Sequence, residues 1–219
     1  MFPSLGGVIW TFRRRGRGPK VQFTHITRSA RVNFKRENSA TSNKYLLETM
    51  GGGVALLDDD NDGRLDIFFT NGARIDDPMP DSKLPEKSDR RFWNRLYHQN
   101  TDGTFTDVTE KAGLTGMAPN YYTMGVAVGD YDNDGFEDIY VTGYGGNTLY
   151  HNNGDGTFTD VTKRAGVSAG RWSASAGFFD NHGNLDLFGT RYVNWSFPEQ
   201  PLLRRTETRL ARLLSPRQF

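Results

Sequence analysis

Asp58-Asp59-Asp60-Asn61-Asp62-Gly63-Arg64-Leu65-Asp66 decides the reading of this chain, because it returns 72 residues later as Asp130-Tyr131-Asp132-Asn133-Asp134-Gly135-Phe136-Glu137-Asp138. Both stretches read D-x-D-x-D-G-x-x-D. Carboxylates packed this densely repel one another unless a cation sits among them. Hard oxygen ligands at alternate positions, with a glycine for the tight turn, are how a short loop wraps Ca²⁺. The expected ligands of the first loop are Asp58, Asp60, Asp62 and Asp66 with the Arg64 main-chain carbonyl. Those of the second are Asp130, Asp132, Asp134 and Asp138 with the Phe136 carbonyl. The bland alternative is a solvated acidic turn, since Asp, Asn and Gly are ordinary turn residues. Two copies in register favour the metal. Mg²⁺ fits less well because it keeps its waters, and no nucleophile or base recurs with the loops to suggest a catalytic ion.

The flanks exclude an EF-hand, which needs helices on both sides and a Glu at position 12. Position 12 is Phe69 in one copy and Val141 in the other. Gly-Val-Ala-Leu-Leu precedes the first loop and Leu-Asp-Ile-Phe-Phe-Thr follows it, short β-branched and aromatic runs that read as strands. Each loop therefore joins two strands of a hairpin.

A second unit also repeats. Asn94-Arg95-Leu96-Tyr97-His98 through Asp107-Val108-Thr109 returns 53 residues later as Asn147-Thr148-Leu149-Tyr150-His151 through Asp160-Val161-Thr162. Each copy has an Asp-Gly turn between two strand patterns, a second hairpin. Phe23-Thr24-His25-Ile26-Thr27 is a weaker echo of its last strand. Two hairpins per unit give four antiparallel strands, and a period near 50 residues indicates propeller blades. The expected fold class is all-β, a partial β-propeller of about two and a half four-stranded antiparallel blades with calcium-binding loops. Blade one covers about 50–109, with a polar insertion from Ala73 to Arg91; blade two covers about 122–162; an incomplete third covers about 171–198. The third acidic loop, Asp180-Asn181-His182-Gly183-Asn184-Leu185-Asp186, is two residues short. It keeps only Asp180 and Asp186, so its site is expected to be weak or lost.

These residues resemble FG-GAP/VCBS repeats. Glu37-Asn38-Ser39-Ala40-Thr41-Ser42 through Thr49-Met50-Gly51-Gly52-Gly53-Val54-Ala55, the Phe-Thr-Asp-Val-Thr unit and Arg191-Tyr192-Val193-Asn194-Trp195-Ser196-Phe197 resemble the cartilage acidic protein/ASPIC-UnbV-type family. The resemblance covers about 21–198. It implies a calcium-binding propeller of seven blades, usually exported to an extracellular or periplasmic location, which binds proteins or cell surfaces and has no defined reaction. This chain departs from that pattern in blade number, in a degenerate Phe-Gly-Gly-Ala-Pro signature and in its shortened third loop. An unclosed array leaves strand edges open.

Composition agrees with an all-β chain: 13% aromatics and 25 glycines supply strand cores and turns. Cysteine is absent, which removes disulfides and thiolate metal sites. No run is apolar enough for a transmembrane helix. The net charge of +1 hides an asymmetry: residues 49–198 carry twelve Lys/Arg against twenty-two Asp/Glu, while 1–48 carry ten against two and 199–219 five against two. The basic 1–20 segment reads as a solvated tail, with a degenerate export signal or a nucleic-acid arm as its functional alternatives; no nucleic-acid partner is expected. The Arg-rich 199–219 segment breaks abruptly from the repeat, as a frameshifted end would. Translating the coding DNA in its other frames tests this, since failure to find blade-like sequence counts against it.

His98 and His151 stand at equivalent repeat positions, where packing or turn bonding is the expected role. Gly51-Gly52-Gly53 leads into a strand without a following Lys-Ser/Thr, so it reads as close blade packing and not a phosphate loop. Trp93, Trp172 and Trp195 read as core. No Gly-x-Ser-x-Gly or Rossmann fingerprint occurs. The leading expectation is a non-enzymatic calcium-binding repeat module with a structural or protein-interaction role. The alternatives are a truncated fragment without independent function and an accessory part of a propeller-type enzyme.

Overall fold

The computed structural model describes residues 23–115, 121–170, 172–181 and 183–198. The 1–20 and 199–219 tails and His182 lie outside them. The protein is all-β. Strands β1 (Val54–Leu57), β2 (Asp66–Phe69), β3 (Arg95–Gln99) and β4 (Phe105–Asp107) form one antiparallel meander. Strands β5 (Tyr122–Gly129), β6 (Asp138–Tyr144), β7 (Thr148–Asn152) and β8 (Phe158–Asp160) form a second in the same order. A two-stranded sheet of β9 (Ser173–Asn181) and β10 (Asn184–Arg191) follows. This is a partial propeller arrangement of separate blades, with no closed barrel.

The second strand of each meander is buried on both faces: all four residues of β2 and all seven of β6 are buried. Continuous apolar runs such as Ile67-Phe68-Phe69 and Ile139-Tyr140-Val141 suit a strand covered from both sides. Leu57, Phe68 and Leu96 of the first blade share one core with Ile139, Val141 and Tyr150 of the second. Tyr140, Leu149 and Val161 meet Ala176, Phe178 and Leu187 of the third sheet in the next. Burying one Phe or Leu at such a junction contributes about 1.5–3 kcal/mol.

The Asp-Val-Thr motif closes each blade. Asp107 Oδ1 accepts from Thr109 N at 3.1 Å, and the Thr109 hydroxyl oxygen accepts from Leu96 N at 3.0 Å. Asp160, Thr162 and Leu149 repeat this at 2.9 and 2.8 Å. The chain then turns in an identical way after each motif: Ala112 N donates to Val108 O and Ala165 N to Val161 O, both at 2.8 Å. The echo at Phe23–Thr27 is explained by the same turn, with Ala30 N donating to Ile26 O at 2.8 Å. Ala30 O then accepts from Phe105 N, as Ala112 O does from Phe158 N, both at 2.9 Å. The turns at Ala30 and Ala112 thus staple one repeat to the outer strand of the next.

Close approach between blades requires glycine. A Cβ on Gly53 would lie 2.6 Å from Met124 O, and one on Gly125 would lie 2.5 Å from Ala174 O. The backbone oxygens cannot swing aside, so Gly125→Ala must push β5 from β9. We expect a loss of about 1–3 kcal/mol, read as a lower melting midpoint, with Gly53→Ala behaving alike at the first junction. An unchanged midpoint would show that the blades slide freely at these points.

Candidate metal centre

Both acidic loops are held open by their own carboxylates. Asp58 Oδ1 and Oδ2 accept from Asp62 N at 3.0 Å and Gly63 N at 2.8 Å. Asp130 accepts from Asp134 N at 3.0 Å and Gly135 N at 2.9 Å. The turn between ligands runs through left-handed backbone at Asn61 (φ 58°) and Gly63 (φ 82°), and at Asn133 (φ 59°) and Gly135 (φ 93°). Asn and Gly are the residues that tolerate this region most readily, which is why the N-D-G triplet recurs.

The ninth position is buried. Asp66 and Asp138 are both fully inaccessible, at the first residue of β2 and β6. Asp66 accepts from Asp59 N at 2.9 Å and Gln99 N at 2.7 Å. Asp138 accepts from Tyr131 N at 3.0 Å and Asn152 N at 2.9 Å. The carboxylate oxygens of Asp58, Asp60 and Asp62 gather within 4.8 Å of one another, as do those of Asp130, Asp132 and Asp138. Asp134 joins Asp132 in an overlapping group. The donor set is hard oxygen in alternating positions, which fits a calcium-sized cation.

Three participants join the loops beside the expected ligands. His98 Nδ1 lies 3.2 Å from Asp66 Oδ1 and 3.3 Å from Asp59 Oδ1. His151 Nδ1 lies 3.2 Å from Asp138 Oδ1 and 3.5 Å from Asp132 Oδ2. These imidazoles bond the acidic loops, which is the turn bonding expected at their repeated position. Strand register explains the placement: β2 pairs with β3 through Ile67↔Tyr97, so one step further sets His98 opposite Asp66. The Ile139↔Tyr150 pairing does the same for His151 and Asp138. Asp59 is the third participant, buried at 3% exposure and grouped with Asp60, Asp66 and His98. In the first loop the Arg64 guanidinium also pairs with Asp62 and donates to Gln99 O at 2.8 Å. Phe136, at the matching place, offers no such competitor and packs its ring over Gly154.

The third loop is a different object. Asn181 pairs directly with Asn184, so the strands close into a hairpin with two residues between them. Asp180 Oδ1 accepts from Gly183 N at 2.7 Å. Among the described residues, neither Asp180 nor Asp186 belongs to a group that could hold an ion.

Without a cation, burial and the neighbouring Asp66 push the Asp59 carboxyl up to about 7. Burial also raises Asp138 above its ordinary value. A carboxyl raised in the folded state binds its proton more tightly there than in the unfolded chain. The resulting stability is present below the ordinary carboxylate range and is lost as pH rises towards 7. In excess chelator the melting midpoint is therefore expected to climb as pH falls from about 7.5 to about 5. Saturating calcium should remove that gain, because a cation favours the ionised carboxylates. A chelator midpoint that falls over the same range would contradict it.

The repeat arrangement is shared with known proteins. A family model for the FG-GAP-like repeat matches residues 58–141 and 130–189. Cartilage acidic protein 1 of Mus musculus is 32% identical over 158 residues, 68% of this chain and 22% of that protein. The Homo sapiens protein of the same name gives the same identity and coverage. That of Xenopus tropicalis is 30% identical over 183 residues, 80% of this chain and 25% of that protein. The chain thus spans no more than a quarter of the length of these relatives. With two overlapping matches that run from the first acidic loop into the third sheet, this chain belongs to the FG-GAP-like repeat family and is homologous to cartilage acidic protein 1.

Proposed function

We propose that the chain is a calcium-binding β-propeller repeat module with a structural or protein-interaction role and no catalytic one. The observation that carries the reading is the duplicated loop, with its carboxylates gathered at the start of a buried strand in each blade. Calcium there joins the two inner strands of a blade. Asp58, Asp60, Asp62, Asp66 and the Arg64 carbonyl take one ion; Asp130, Asp132, Asp134, Asp138 and the Phe136 carbonyl take the other.

The partner is a protein or cell-surface ligand, met at the loop-rich edge or at the insertion from Ala73 to Arg91, and the setting is extracellular or periplasmic. Loops on a rigid scaffold are the usual place for such contacts. The open cleft beside the insertion supports the non-catalytic reading. Its charged groups satisfy one another: Asp76 pairs with Lys83 at 3.1 Å and Arg74 at 3.5 Å, and Arg74 with Glu86 at 3.8 Å. Among the described residues, no helix is long and apolar enough to cross a membrane.

Equilibrium dialysis tests the metal reading. The full chain is expected to hold two calcium ions, and Asp60→Asn and Asp132→Asn are each expected to hold one. A chain that binds none, or variants that still bind two, would overturn it.

A further inference from the structure

The two acidic loops belong to different blades, yet they are bonded directly to each other. Asp58 N donates to Glu137 Oε2 at 3.0 Å. Asn61 Nδ2 donates to Gly135 O at 2.9 Å. Asn152 Nδ2 donates to Asp59 O at 3.0 Å and to Glu137 O at 3.3 Å, and Asn152 is fully buried. Apart from Asn152, at the end of β7, every anchor falls within one loop or the other: Asp58 opens the first loop, Asn61 lies between Asp60 and Asp62, and Gly135 follows Asp134. The pattern continues one blade on, where Asn133 Nδ2 reaches Asn184 Oδ1 at 3.4 Å.

We infer that the two loops form one cooperative calcium unit, in which an ion in either loop pre-orders the other through Glu137, Asn61 and Asn152. The inference rests on the calcium reading above. Holding a loop around an ion costs conformational freedom. Where two loops share hydrogen bonds, the first ion meets part of that cost for the second, and the coupling is reciprocal. Repulsion between two divalent ions acts the other way. It is screened here, because Asp60 to Gly63 and Asp132 to Gly135 are exposed to water and salt. The hydrogen-bonded route through the buried Asn152 is not screened. Positive coupling is therefore the net result.

Glu137 and Asn61 are positioning residues on this account, since neither is a proposed ligand. They can be changed without emptying a site. Asn61 has a left-handed backbone, so Asn61→Gly removes the amide without strain. Glu137 is half-buried, and Glu137→Ala removes the acceptor for Asp58 N.

Calcium titration of the full chain by calorimetry provides the test, with far-UV circular dichroism confirming that each variant is folded. The parent chain is expected to show a Hill coefficient above one. Asp132→Asn, which disables the second loop, is expected to weaken calcium at the first at least about fivefold. The Asn61→Gly/Glu137→Ala double variant should still take two ions, with a Hill coefficient below the parent's, since only the Asn152 link between the loops remains. Two ions bound independently by the parent, or an unchanged first site in Asp132→Asn, would overturn the coupling while leaving the metal reading intact. No binding at either loop would overturn both.

Discussion

Millimolar calcium is expected to raise the melting midpoint of the full chain by about 10–20 °C over excess chelator. An ion that binds only the folded state stabilises it by about 2.7 kcal/mol at a hundredfold excess over its Kd. Two sites give about 5 kcal/mol, and for a chain of this size each kcal/mol moves the midpoint by about 2–4 °C. The effect has a structural route. Each ion would draw together carboxylates that otherwise repel across the β1–β2 and β5–β6 connections, and both connections border the shared core of Leu57, Phe68, Ile139 and Val141. Far-UV circular dichroism at fixed pH checks the prediction. A midpoint that ignores calcium would mean the loops are solvated turns. No cooperative transition in either condition would mean the segment does not fold by itself, as the truncated-fragment reading holds.

The parts of this molecule that sequence made visible are those with local chemistry. The Asn-Asp-Gly triplets announce left-handed turns because few other residues enter that region, and the Asp-Val-Thr motif recurs because its Asp–Thr hydrogen bond closes over two residues in each copy. The glycine before β1 was legible as close packing, although its partner, Met124 O, was not, and the like role of Gly125 within β5 was not read. The contacts of His98 and His151 depend on which residue lies opposite across a strand pair, and a one-residue slip would turn both away. That register was recoverable by aligning the two hairpins on their turns. The links between Glu137 and Asp58 or Asn152 and Asp59 were not recoverable so, because they cross between blades and leave no local signature. Asp180 and Asp186 stand in a loop that the sequence already shows to be two residues short, and what it did not show is that the strands pair across the gap through Asn181 and Asn184.

Lys87→Met is expected to lower stability by about 2–4 kcal/mol, the largest loss we predict for a single side chain away from the ion loops. Lys87 lies in the insertion, and its ammonium is buried. Nζ donates to Asn71 O at 2.8 Å, Asn94 Oδ1 at 2.9 Å, and Phe92 O and Thr123 Oγ1 at 3.0 Å. Burial, with Arg36 and Arg95 near, pushes this ammonium well below its ordinary range. The four oxygens oppose that push, and they come from three places: the end of β2, the approach to β3 and the start of β5. The lysine therefore acts as a tethered cation that clamps the first blade to the second. Asn71 reinforces the joint, accepting from Glu37 N at 2.8 Å and donating to Arg91 O at 2.9 Å. Methionine matches the stem and leaves little cavity, so the loss falls on the oxygens. Thr123 still reaches Asn71 O and Asn94 Oδ1, whereas Phe92 O loses its ammonium donor. One orphaned carbonyl costs about 1–3 kcal/mol, and the severed charge-assisted bonds add to it while relief of the buried charge offsets part. A midpoint lowered by about 5–15 °C, equal in calcium and in chelator, is the expected outcome. Equality between the two conditions is the discriminating feature, because the clamp and the ion loops join the blades at different places. A loss that appears only in calcium would show that the clamp acts through the loops, and an unchanged midpoint would show that the buried charge contributes nothing.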